Sequence, residues 1–162
     1  RARRRAASVT TALARRLPVV NAALCGPCGG RRCKSMPGAA MPEDFADLAA
    51  LEAAILTGRW TLDWLVGDVV YPYDLDRVLF PRPAIVGCEG SPSHGAYGGQ
   101  CTFLGATGCE LAYERRPVEC RELEPGILTC ESRYWKEDFA AAWRPHAAEL
   151  EEMLVRLWAV MK

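Results

Sequence analysis

Long apolar runs are absent from this 162-residue chain, although half of its residues are hydrophobic. No stretch approaches the roughly 20 residues that a membrane-spanning helix needs, so no span is expected. Net charge is absent too. Lys+Arg and Asp+Glu number 20 each, which leaves a formal charge of zero and gives no overall electrostatic pull towards nucleic acid or an acidic membrane. No Ser/His/Asp arrangement, phosphate-binding Walker loop or dinucleotide fingerprint is visible. A secretory leader is not expected either, because Arg15 and Arg16 interrupt any apolar run before it reaches the length of a signal core. Leu24 stands before Cys25 where a lipoprotein site needs a small residue. The expectation is a solvated basic arm or helix over residues 1–24, one cysteine-rich domain over 25–162, and a cytoplasmic home.

What the chain does hold is eight cysteines, and their placement organises the rest. Cys25, Cys28 and Cys33 lie in a Gly/Pro-rich knuckle, CGPCGGRRC, which can wrap backbone closely around a metal. Cys101, Cys109 and Cys120 lie in a second block, CTFLGATGCELAYERRPVECREL, punctuated by Gly105, Gly108 and the Arg116-Pro117 step. An even cysteine count would permit a disulfide framework, but a chain with its own core and no secretion signal favours metal thiolates. Four soft ligands at tetrahedral geometry suit zinc or an iron-sulfur cluster and disfavour magnesium or calcium. Eight cysteines could fill two four-thiolate sites or one cluster with spares, and spacing alone leaves both open.

The residues Cys101, Phe103, Leu104, Gly108, Cys109, Tyr113, Arg116, Pro117, Cys120 and Arg121, with the knuckle before them, carry a resemblance. Together they resemble the zinc- or iron-chelating cysteine-rich domains of the CxxCxxCC type. The knuckle departs from that pattern, since Arg32-Cys33 stands where adjacent cysteines are usual. The resemblance implies a ligand set of Cys25, Cys28, Cys33, Cys101, Cys109 and Cys120, with Cys88 and Cys130 as candidates to replace the ligand lost at Arg32. It also implies a zinc or iron cofactor. A likeness to flagellin lysine methylases adds a second reading, an iron-sulfur enzyme of redox or methyl-transfer type. Arg116, Arg121 and Tyr113 are candidate cofactor-binding residues, because a guanidinium or hydroxyl beside a thiolate site can donate hydrogen bonds to sulfur. The alternative is that Arg116-Pro117 ends a helix and Tyr113 packs in the core. Apart from the metal, a protein partner is the one class of partner kept in view.

The elements between these blocks predict an α+β domain with two main helices, short strands and irregular loops. Pro42 and the carboxylates after it open a helix over 43–57, with Phe45, Leu48, Ala49, Ile55 and Leu56 inward, Glu52 at the edge of the stripe, and Gly58 as the stop. Residues 59–65 alternate as a half-buried strand with Trp60, Leu62 and Trp64 inward. Residues 78–86 are apolar, but Pro81 and Pro83 restrict them to an edge strand or extended segment. His94 lies in a Gly/Ser-rich loop between Cys88 and Cys101, where an exposed side chain is a simpler expectation than a ligand. Phe139, Trp143, Ala147, Leu150, Leu154, Leu157 and Met161 mark a helical stripe over 135–161 that Pro145 must kink or split.

Overall fold

Two antiparallel strands lie at the centre of the computed structural model, which describes residues 29–66, 77–95, 98–124 and 130–161. The expected arm over 1–24, and with it Cys25 and Cys28, lies outside the described residues. Strand β1 (Trp60–Val66) pairs with β2 (Arg77–Pro83), Trp60 opposite Pro83 and Val66 opposite Arg77. Before them come α1 (Arg31–Ser35), a 3-10 turn (Pro42–Asp44) and α2 (Leu48–Leu56). After them come a two-residue hairpin, β3 (Leu104–Gly105) with β4 (Gly108–Cys109), a 3-10 turn (Tyr113–Arg115) and α3 (Val118–Arg121). The chain ends in α4 (Lys136–Trp143), a 3-10 turn (Arg144–His146) and α5 (Ala147–Val160). Helices and short antiparallel strands together make the fold α+β.

The prolines of β2 are tolerated because of the side on which they fall. In a strand the N–H and C=O of one residue point the same way, and the Pro81 carbonyl accepts from the Ala40 amide at 2.9 Å, on the side away from β1. The N–H that proline lacks would therefore have pointed away from β1 as well. On the far edge of β1, the Leu62 amide donates to the Pro92 carbonyl at 3.0 Å, and the Ser93 hydroxyl donates to the Leu62 carbonyl at 2.9 Å. Irregular segments thus cover both edges of the pair.

The expected half-burial of β1 is corrected. Thr61 and Asp63, placed on the solvent face by the alternation, are as buried as Trp60 and Leu62. Thr61 donates to the Ser91 carbonyl at 3.2 Å, and Asp63 meets Arg82 of β2 at 3.1 Å with both side chains only 2% exposed. Asp63 and Arg82 lie on a face covered by the chain, so their charges are sealed against each other.

The single helix expected over 43–57 is split. Asp44 turns its carboxylate back to the Met41 amide and across to the Val118 amide, each at 2.9 Å, and the chain leaves the helical path at Phe45. Asp47 then caps a new helix by accepting from the Ala50 amide at 2.8 Å, the usual role of an N-cap carboxylate. Restarting the helix resets its phase: Leu51 and Ile55 face inward while Ala49 and Leu56 are exposed. Glu52 reaches Arg156 of α5 at 2.9 Å. Pro145 falls within the 3-10 turn between α4 and α5, where the expected interruption occurs.

The core is one cluster in which Leu51, Ile55, Leu62, Leu79 and Phe80 meet Phe139, Trp143, Leu150, Met153, Leu154 and Leu157. Phe80 and Phe139 stack with ring centroids 6.0 Å apart, and the Trp143 indole N–H donates to the Ala40 carbonyl at 2.8 Å. That last bond joins the helical layer to the segment following α1, so the core fixes the position of the cysteine-bearing loops.

Candidate metal centre

Gly29 and Gly30 adopt left-handed φ of 54° and 72° and turn the chain into α1, which carries Cys33. A Cβ at Gly30 would lie 2.9 Å from Leu104 Cδ1, so glycine lets the knuckle close against the β3–β4 hairpin. The decisive tie is between the two cysteine blocks themselves. The amide of Cys101 donates to the carbonyl of Cys33 at 2.7 Å. Cys33, Cys101 and Cys109 all belong to or pack against the core cluster.

Cys120, at the C-terminal end of α3, reaches the same region. Gly38 lies so close that an added Cβ would stand 2.5 Å from the Cys120 sulfur and 3.1 Å from its amide nitrogen. The Phe103 N–H donates to the Cys101 sulfur at 3.4 Å. Backbone amides aimed at sulfur are what a thiolate needs as partners inside a protein.

Burial pushes the Cys101 thiol up to about 12, opposed by the Phe103 amide; neighbouring charge on Cys33 and Cys109 raises it further, and Arg59 lowers it. Burial raises Cys120 still more, with Cys33, Cys101 and Glu119 adding to the rise and the Gly38 amide opposing it. The Cys101 thiol is therefore near enough to Cys33 and Cys109, and the Cys120 thiol to Cys33 and Cys101, to feel their charge. Burial holds Cys101 and Cys120 in the protonated form at neutral pH. Among the described residues no three Cys, His, Asp or Glu side chains stand close enough to grip an ion at once. Closing a site takes a donor from outside them or a movement of the sulfurs. Among the described residues no disulfide joins two cysteines.

The other candidates hold the loops. Tyr113 donates to the Arg121 carbonyl at 3.0 Å, and Arg116 donates to the Leu111 carbonyl at 3.1 Å. Arg121 donates to the Arg116 carbonyl and to Asp44, the latter at 2.6 Å. These three side chains bend the chain between Cys109 and Cys120 and anchor it to the turn before α2. Cys88 sits in the turn after β2, its amide bonded to the Ile85 carbonyl at 3.0 Å. Cys130 precedes Glu131, which bridges to Glu124. His94 lies near Gly95, its Nδ1 3.3 Å from that carbonyl.

Sequence reasoning missed Arg59, Gly38 and the Arg32–Glu119 pair. Arg59 lies over the Phe103 ring, 4.0 Å from its centroid, and binds the Thr102 carbonyl and the Glu110 carboxylate. It clips together the two sides of the loop that separates Cys101 from Cys109. In the sequence Arg59 was only the polar flank of an alternating strand, and Gly38 only the end of a turn. Comparison with known families, curated proteins and solved structures finds no match for the chain.

Proposed function

We propose that this chain is a small cysteine-rich domain that binds zinc or iron, the latter alone or as an iron-sulfur cluster, through clustered thiolates. Cys33, Cys101, Cys109 and Cys120 are the core of the proposed ligand set. Cys25 and Cys28 of the same knuckle are the donors that could complete it. The observation that carries this reading is the 2.7 Å bond from the Cys101 amide to the Cys33 carbonyl, which brings two sequence-distant cysteine blocks to one place. The bond from the Phe103 amide to the Cys101 sulfur supports it, since it suits a thiolate that has lost its proton to a metal. All-sulfur donors favour zinc or iron over hard cations.

Elemental analysis and a visible spectrum of anaerobically purified protein test the reading. Zinc gives a colourless protein with metal near stoichiometric; an iron-sulfur cluster gives iron, labile sulfide and a broad visible absorption. Reduced protein that holds neither metal and takes up neither on titration overturns it.

A further inference from the structure

Arg32 lies on α1 immediately before Cys33, and Glu119 lies on α3 immediately before Cys120. Arg32 Nη2 donates to Glu119 Oε1, and the two side chains are only 18% and 6% exposed. Glu119 Oε2 accepts from the Ala39 amide at 2.6 Å, and the Glu119 amide donates to the Ala39 carbonyl at 3.4 Å. One buried carboxylate thus joins α1, the extended segment after it, and α3. Each partner of the ion pair is the chain neighbour of a cysteine.

We infer that Arg32 and Glu119 form a latch that sets the spacing of Cys33 and Cys120 before any metal arrives, and that both are positioning residues for the thiolate site. The inference rests on the metal-binding reading above. Helix α1 is five residues long, fully buries none of its residues and meets the core through the partly buried Cys33, so apolar packing alone does little to fix where it sits. A buried ion pair adds little net stability over an apolar pair of the same shape, but it is demanding in geometry, and breaking it leaves a charge stranded. Here that geometry falls on the residues adjoining the sulfurs.

The test uses the full chain, reduced and anaerobic, with Co²⁺ as probe, since cobalt–thiolate bonds announce themselves by charge-transfer absorption. Arg32→Met is expected to weaken Co²⁺ binding by about 10–100-fold, the range seen when groups supporting metal ligands are removed. Arg32→Lys should recover part of the loss. In chelator-treated protein, Arg32→Met should also speed amide exchange over residues 31–40 while leaving α5 unchanged. Should Arg32→Met fail to fold, Glu119→Gln, which keeps the side-chain shape, carries the same two expectations. A variant that binds Co²⁺ as tightly as the parent, or that leaves metal-free exchange over 31–40 unaltered, overturns the latch and leaves the metal reading standing. A parent chain that shows no cobalt–thiolate absorption overturns the latch as well, and overturns the metal reading only if it also holds and takes up neither zinc nor iron.

Discussion

Gly38 lies directly against Cys120, with no room for even a methyl group between them: an added Cβ would stand 2.5 Å from the sulfur. Gly38 is buried in the segment between α1 and the turn before α2. The contact ties that segment to α3 at the sulfur itself. Gly38→Ala is therefore expected to destabilise the metal-free protein by about 1–3 kcal/mol, the usual cost of overpacking. Urea denaturation measures it, and an unchanged midpoint would mean that the segment moves aside freely.

The Asp63–Arg82 pair makes a sharper contrast possible. Removing one partner, as in Arg82→Met, strands a charge between β1 and β2 and should cost about 3–5 kcal/mol. Replacing both, Asp63→Leu with Arg82→Met, should restore most of that loss, because the desolvation cost disappears with the charges. A double variant no more stable than the single would show that Arg82 matters chiefly through its bond to the Pro37 carbonyl, 3.2 Å away.

A pH dependence follows from the buried thiols. Cys101 is pushed up to about 12 from an ordinary value of 9.0, and Cys120 is raised in the same direction. Between about pH 9 and 12 the metal-free native state keeps protons that the unfolded chain has released, so stability falls as pH rises through that window and is undiminished below it. Denaturant midpoints of chelator-treated, reduced protein should drop between neutral pH and about pH 10, and less so in Cys101→Ala. Equal midpoints at the two pH values would mean that the thiols open to solvent before unfolding.

Metal removal should act unevenly. Residues 29–38 include Gly29, Gly30, Pro37 and Gly38 and have few apolar side chains to repay the entropy of ordering them, whereas α5 buries Leu150, Met153, Leu154 and Leu157. Chelation is expected to raise amide exchange across the knuckle first and across α5 last. Simultaneous loss of protection in both would indicate one cooperative unit held together by the metal.

The parts of this fold that a reader could take from the chain are those governed by local period. The stripe of α5, the interruption at Pro145 and the two strands follow from spacing alone, and the cysteine blocks announce themselves by composition. The misjudged parts depend on distant partners. Asp44 breaks the expected helix over 43–57 because it is drawn to Val118 and Arg121, and Asp63 is buried because Arg82 waits across the sheet. Nothing near Arg32 in the sequence marks Glu119 as its partner. For the candidate site, the residue types were legible, while the order in which the loops bring them together was not.

The covered edges of the two-stranded sheet bear on how the protein behaves at high concentration. A sheet of two strands ordinarily offers two open templates on which other chains can add. Here Pro81 and Pro83 present no N–H on the outer side of β2, the Pro81 carbonyl is taken by Ala40, and the Leu62 groups on the outer side of β1 are taken by Pro92 and Ser93. The same prolines that weaken the strand as a strand also make it a poor seed for fibre growth, so aggregation of the folded protein through this sheet is disfavoured even though Val78, Leu79 and Phe80 form an apolar run along β2.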